Sequence, residues 1–188
     1  MLDEVQLRWV LPSDAEAIPE IYAPQVKDTA TSFEKTVPSI HEFEERIRTY
    51  SSEAPWLVAE VKGQVVGYAY ATGHRSRYAY QWNQEVTAYV HQHFRKRGIA
   101  KKLYLKIFEI LKAMNYCKAI AVITLPNDPS IAFHRALGFQ KMGEMKDVGF
   151  KFDRWFSTSW WDLDLRDDPR QSPADLRPIC EVKDSFDL

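Results

Sequence analysis

Cysteine is scarce in this chain. The two thiols of its 188 residues, Cys117 and Cys180, form neither a disulfide framework nor a metal-ligand spacing. No sign of charge prevails either: 25 Lys and Arg stand against 26 Asp and Glu, for a formal net charge of −1. Nothing global therefore draws the chain to nucleic acid or to an anionic membrane. No apolar run approaches the roughly 18 residues of a membrane span. The N-terminus, Met-Leu-Asp-Glu, lacks the basic and apolar regions of a secretory signal. Internal repeats and low-complexity segments are also missing. Together these absences predict a globular protein of a reducing cytoplasm.

At 188 residues, with 45% hydrophobic and 27% charged residues, the chain has material for one domain with a substantial core. Val5 to Val10 reads as a first strand, and Ser13-x-x-Glu16 as a capping box opening a helix with Ala15, Ile18, Ile21 and Tyr22 at helical spacing. A second box, Ser39-x-x-Glu42, opens a helix with Phe43 and Ile47 on one face. Trp56 to Val61 and Val65 to Ala71 are β-rich runs joined at Lys62-Gly63-Gln64. Gln84 to Val90 alternates, with Val86, Ala88 and Val90 facing one way and Glu85, Thr87 and Tyr89 the other. From Gly98 onward, Ile99, Leu103, Ile107, Ile110, Leu111 and Met114 form a helical stripe. Ala119 to Leu125 is continuously apolar, as in a strand buried on both faces. Pro129 starts a short helix that Gly138 ends, and two strands follow, near Phe139 to Met145 and Arg154 to Leu165. The order β, α, α, β, β, β, α, β, α, β, β predicts an α/β domain, a mixed sheet with helices on both faces, over residues 1–165. A C-terminal extension, 166–188, lies packed on its surface or partly disordered. A Rossmann fold is excluded, because the glycine loop follows the fourth strand and lacks G-x-G-x-x-G.

The segment with most chemical content is that loop. Arg95-x-x-Gly98-x-Ala100 joins a strand to a helix and places backbone N–H groups and a helix N-terminus where a diphosphate can sit. It resembles the pyrophosphate loop of the GNAT N-acetyltransferases, whose usual pattern is Gln/Arg-x-x-Gly-x-Gly/Ala. Asn127-Asp128-Pro129-Ser130 running to Leu137-Gly138-Phe139 is similar to the second signature of that superfamily. Trp56-Leu-Val-Ala-Glu, Val66-Gly67-Tyr-Ala-Tyr, Ala79-Tyr80-x-Trp82-x-x-Glu85 and Ala121-Val-Ile-x-Leu-Pro resemble its phosphinothricin and methionine sulfoximine acetyltransferase branch. The likeness covers about residues 5–165, and the GNAT fold is what it implies.

The resemblance implies acetyl-CoA as cosubstrate, no metal, and a small amino acid or analogue as acceptor. Acetyl transfer to an amine needs a base for the ammonium, a polarised carbonyl and a proton for the departing thiolate. Glu85 is the first candidate base, since the family's acidic residue falls at this position. His134 is the second, with a side chain suited to proton transfer near neutrality. The residues leave the division of work between them open. The loop Lys96, Arg97, Gly98, Ile99, Ala100 and Lys101 is expected to donate N–H groups to the diphosphate. Ala88, Tyr89 and Val90 are expected along the pantetheine arm, with an oxyanion donor near Val90, and Asn127 matches a residue that contacts the same arm. Arg75 and Arg77 suit a carboxylate or phosphinate, and Phe33, Tyr78 and Tyr80 are candidate walls of the acceptor pocket. A homodimer is usual in the resembling family.

Rival readings exist. Arg95-Lys-Arg with Lys101-Lys102 is too short a basic cluster for a nucleic-acid site in a slightly acidic chain. His91-x-His93 lacks the further ligands of a metal centre. Within the same scaffold the alternatives are a protein N-terminal, polyamine or aminoglycoside acetyltransferase, or a catalytically silent acetyl-CoA-binding regulator. Two arginines before Tyr80 argue against a cationic acceptor.

Overall fold

The computed structural model describes residues 4–188. Met1 to Asp3, within the segment read for a secretory signal, lie outside the described residues. Strands β1 (Gln6–Trp9), β2 (Trp56–Val61), β3 (Gln64–Gly73), β4 (Asn83–Val90), β5 (Lys118–Thr124), β6 (Gln140–Lys151) and β7 (Arg154–Asp164) form one sheet in the order β1-β2-β3-β4-β5-β7-β6. Every neighbouring pair is antiparallel except β4 and β5. Helices α1 (Ile18–Lys27), α2 (Ile40–Glu53), α3 (Ile99–Ala113), α4 (Asp128–Ala136) and the short α5 (Ile179–Val182) complete the chain. This is the mixed, helix-covered α/β sheet expected, in the expected order of elements.

The alternation of the strands divides the core in two. On one face Leu57, Ala59, Ala69, Val86 and Trp161 pack against Leu103, Ile107 and Leu111 of α3. On the other, Trp56, Val58 and Tyr68 meet Ile18 and Ile21 of α1 and Phe43 and Ile47 of α2. Trp56 and Leu57 are consecutive, and each is buried in a different layer, as the period of two requires. The turn at Lys62 and Gly63 has φ of 53° and 77°, the left-handed pair that matches strand twist in a two-residue hairpin.

Three expectations change. Ser13 caps no helix. Pro12 opens a 3-10 turn (Pro12–Glu16), and the Asp14 carboxylate accepts the Leu11 N–H at 2.7 Å. The same carboxylate takes both Arg8 guanidinium N–H groups at 2.8 and 2.7 Å, which outcompetes a serine hydroxyl. At the second box, by contrast, Ser39 Oγ accepts from Glu42 N at 3.2 Å and Glu42 Oε2 from Ser39 N at 2.7 Å. Strand β5 is not covered throughout: Val122 is 40% exposed, since it faces the side where α1 and α2 stop at β4. Strand β6 runs well past Met145 to Lys151, with register shifts that let it bend away from the sheet.

Residues after Arg166 pack against the domain. Trp82 Nε1 donates to Ala174 O at 2.9 Å, Asn115 Nδ2 to Asp175 O at 2.7 Å and Arg177 N to Met114 O at 3.0 Å. Ile179 and Val182 are then buried in the α3 layer. Replacing both by Ala should lower the unfolding free energy by about 3–6 kcal/mol in chemical denaturation, the usual cost of deleting buried methyl groups. A surface-laid segment would show almost no change.

Candidate active site

Strands β4 and β5 pair only from Asn83 to Glu85, against Lys118 to Ile120. Beyond Glu85 they part. The carbonyl of Val86 then turns to α3, where the Tyr104 hydroxyl donates to it at 3.1 Å. Val90 O, two pairs further along the same edge, accepts from Arg95 Nε at 3.4 Å. Ala88 lies between them, so its N–H and C=O face the gap by alternation. This unpaired stretch of β4 can accept an extended ligand as a sheet accepts a strand.

The gap opens into a cavity of about 900 Å³. Its lining includes Ala88, Tyr89 and Val90 of β4, Lys96, Gly98, Ile99, Ala100 and Lys101 of the loop, and Asn127, Ser130 and His134 beside α4. Gly98 precedes the first turn of α3 with φ of 78°, a left-handed position that a side chain strains. The amino end of a 15-residue helix therefore points its free N–H groups, and its positive dipole end, into this cavity. Nine of the ten residues expected at the cofactor line it. Arg97 does not: its guanidinium lies 4.8 Å from the centre of the Phe94 ring and donates to His93 O at 3.2 Å.

His134 is buried on α4 at the cavity wall. Its Nδ1 lies 2.8 Å from Ser130 O, which can only accept, so Nδ1 carries a proton. Nε2 is left facing the Tyr104 hydroxyl at 3.5 Å. Burial lowers the His134 pKa below its ordinary value, only partly opposed by the Ser130 carbonyl, and the ring stays neutral at pH 7. Burial raises the Tyr104 hydroxyl well above the ordinary tyrosine range, so it remains a donor. Tyr104 escaped the sequence reading because it stands in the apolar stripe of α3 and looks like core.

Glu85 is elsewhere. It sits on the opposite face of β4, at the last position paired to β5, and its Oε1 lies 2.7 Å from His74 Nδ1. Neither residue lines the large cavity. Arg75 stacks on Tyr80, 5.3 Å from the ring centre, while Tyr78 is 77% exposed and meets the Trp82 edge. The structure does not bring Arg77 or Tyr78 to Glu85. Phe33 comes from the other side, 6.5 Å from Phe156, and its ring occupies the space of any Cβ at Gly149, 2.2 Å from the nearest ring atom. The loop carrying Phe33 is tied down by Lys151, whose Nζ donates to Val26 O, Thr29 O and Ser32 O at 2.6, 2.9 and 2.7 Å.

A cavity lined by a buried histidine and by a helix N-terminus can take a ligand with an anionic group at the helix end. Comparison with known proteins makes the class definite. A model of the acetyltransferase (GNAT) domain matches residues 7–160, and the chain belongs to that family of acetyl-CoA-dependent N-acetyltransferases. It is 32% identical over 178 residues to a phosphinothricin N-acetyltransferase of Streptomyces viridochromogenes, covering 95% of this chain and 94% of that one. It is 30% identical over 164 residues to an L-methionine sulfoximine/L-methionine sulfone acetyltransferase of Salmonella typhimurium, covering 85% and 94%. The crystal structure of a phosphinothricin acetyltransferase from Sinorhizobium meliloti in complex with AcCoA superposes with a TM-score of 0.86 at 35% identity, over 90% and 93% of the two chains.

The lowered pKa of His134 has a consequence for stability. Folded His134 resists protonation that the unfolded chain, with an ordinary value of 6.5, accepts. The unfolded state thus binds more protons as pH falls, and the penalty appears below about 6.5 and is absent above it. Between pH 7.5 and 5, wild type should lose more unfolding free energy than His134→Gln, measured by urea titration at each pH.

Proposed function

We propose that this protein transfers the acetyl group of acetyl-CoA to the α-amino group of a small amino acid or analogue, such as phosphinothricin or methionine sulfoximine. The observation that carries this reading is the position of Glu85 at the point where β4 leaves β5. A base there stands on the proposed acceptor face of the strand whose later residues, Ala88, Tyr89 and Val90, line the cavity. The similarity to acetyltransferases of those two compounds supports the acceptor class.

The reaction proceeds by direct attack in a ternary complex. Glu85 takes a proton from the acceptor ammonium, and the freed amine attacks the thioester carbonyl. The oxyanion meets a backbone N–H of the open β4 stretch near Val90. The attacking nitrogen carries a surplus proton in the adduct. As the C–S bond breaks, that proton passes to the thiolate, which leaves beside Tyr104 and His134 as the thiol. Neither Cys117 nor Cys180 lines the cavity, which favours direct attack over an acyl-enzyme. Lys96 to Lys101 hold the diphosphate through backbone N–H groups, with Arg97 turned away, and Asn127 stands at the pantetheine arm. Arg75 offers the guanidinium for the acceptor's acid group, with Tyr80 beside it as a wall.

The protein works in the cytoplasm as a homodimer. Both thiols are free, Cys180 exposed, which suits a reducing compartment. The bent hairpin of β6 and β7 exposes Met145, Val148, Phe150, Phe152 and Trp155, apolar surface that a second copy would cover. Sedimentation should show a dimer of the 21.9 kDa chain that Trp155→Lys shifts toward monomer. A wild-type monomer at all concentrations sinks the assembly.

Acceptor class is tested by CoA release from acetyl-CoA against free amino acids and analogues, with peptides, polyamines and aminoglycosides beside them. Turnover is expected on small zwitterionic or anionic acceptors, and Glu85→Gln should lower kcat by about 100-fold or more without weakening acetyl-CoA binding. Turnover on cationic amines or peptides alone would overturn the acceptor assignment. Binding without turnover on any acceptor would identify a regulator.

A further inference from the structure

We propose that His74 is the positioning residue of Glu85, acting through the bond from its Nδ1 to one carboxylate oxygen. The inference rests on the reading of Glu85 as base. His74 follows the end of β3, and its backbone N–H reaches Asn83 O at 3.4 Å, so the antiparallel register carries its ring diagonally to Glu85. The contact is 2.7 Å, with the imidazole side chain 10% and the carboxylate 34% exposed. A carboxylate only accepts, so Nδ1 carries the hydrogen and Oε1 is occupied. Among the described residues no other hydrogen bond to the Glu85 carboxylate occurs, and Oε2 remains for a substrate proton.

The imidazole is itself held. Tyr80 meets it edge-on at 6.0 Å and 80°, and Trp160 at 5.9 Å and 72°. Arg75 in turn covers Tyr80. Two candidate acceptor residues thereby become the outer supports of the base: Arg75 fixes Tyr80, Tyr80 fixes His74, and His74 fixes Glu85. A base whose orientation is set by a further hydrogen-bonding group keeps one proton-accepting geometry instead of sampling several rotamers.

Two substitutions separate the bond from the packing. His74→Phe keeps an aromatic ring between Tyr80 and Trp160 but removes the donor. His74→Asn removes the ring but can place an amide N–H where Nδ1 was. With L-methionine sulfoximine as acceptor, His74→Phe should lower kcat about 10-fold or more, with KM for acetyl-CoA unchanged, whereas His74→Asn stays within about threefold of wild type. The reverse ranking, or two variants as active as wild type, overturns the inference. Glu85→Gln runs beside them: full activity there would overturn the base and this inference together, while a severe loss with the reverse ranking overturns only His74. A reading independent of turnover is the ¹⁵N spectrum of His74. It should report the Nδ1-protonated tautomer in wild type and lose that preference in Glu85→Ala; an unchanged spectrum would show that Glu85 does not hold the ring.

Discussion

The site depends on one sheet hydrogen bond being made somewhere else. After Glu85, β4 and β5 would continue to pair if Val86 offered its carbonyl to β5. The Tyr104 hydroxyl takes that carbonyl instead. A phenol on the helix that follows the loop thus substitutes for a strand, and the strands are free to part without a buried carbonyl going unsatisfied. The gap and the free edge at Ala88 share this origin. The same Tyr104 ring lies 5.6 Å from His134, nearly edge-on, so the wedge that opens the sheet also packs the histidine.

The two faces of β4 then take different tasks. Val86, Ala88 and Val90 look toward α3 and the cofactor cavity. Glu85 looks the other way, into the open side of the sheet beyond α1 and α2, where Val122 is also uncovered. In the proposed ternary complex, a donor and an acceptor approaching from opposite sides would meet where the sheet is split. With Glu85 as the proposed base, the parting of β4 from β5 is what would let a carboxylate on one face serve chemistry begun on the other.

Much of this was legible in the sequence where the signal was local. Gly98 before an apolar stripe, Asn127 and Pro129 at a helix start, and the order of elements each follow from spacing. The features that escaped it are those set by partners distant in the chain. His74 and Glu85 are brought together by strand register, which composition does not reveal. Tyr104 differs from a core residue only in where its hydroxyl ends. Arg97 sits in a motif of backbone donors, and its side chain is claimed by Phe94. Ser13 lost its cap to Asp14 because Arg8, on β1, needed a carboxylate there.

The strand order β5-β7-β6 carries a cost in folding time. Strand β6 is made before β7 yet lies outside it, so it has no neighbour in the sheet until residues 154–164 have been synthesised. Until then a nascent chain presents two unpaired β-edges, that of β5 and that of β6, with the apolar hairpin residues beside them. Strand β7 first closes a local hairpin with β6 at Lys151 and Arg154, and the hairpin then docks its β7 edge on β5, a non-local step that is slow compared with helix formation. In that interval the edges are open to pairing with other chains, a hazard that ends when the hairpin docks.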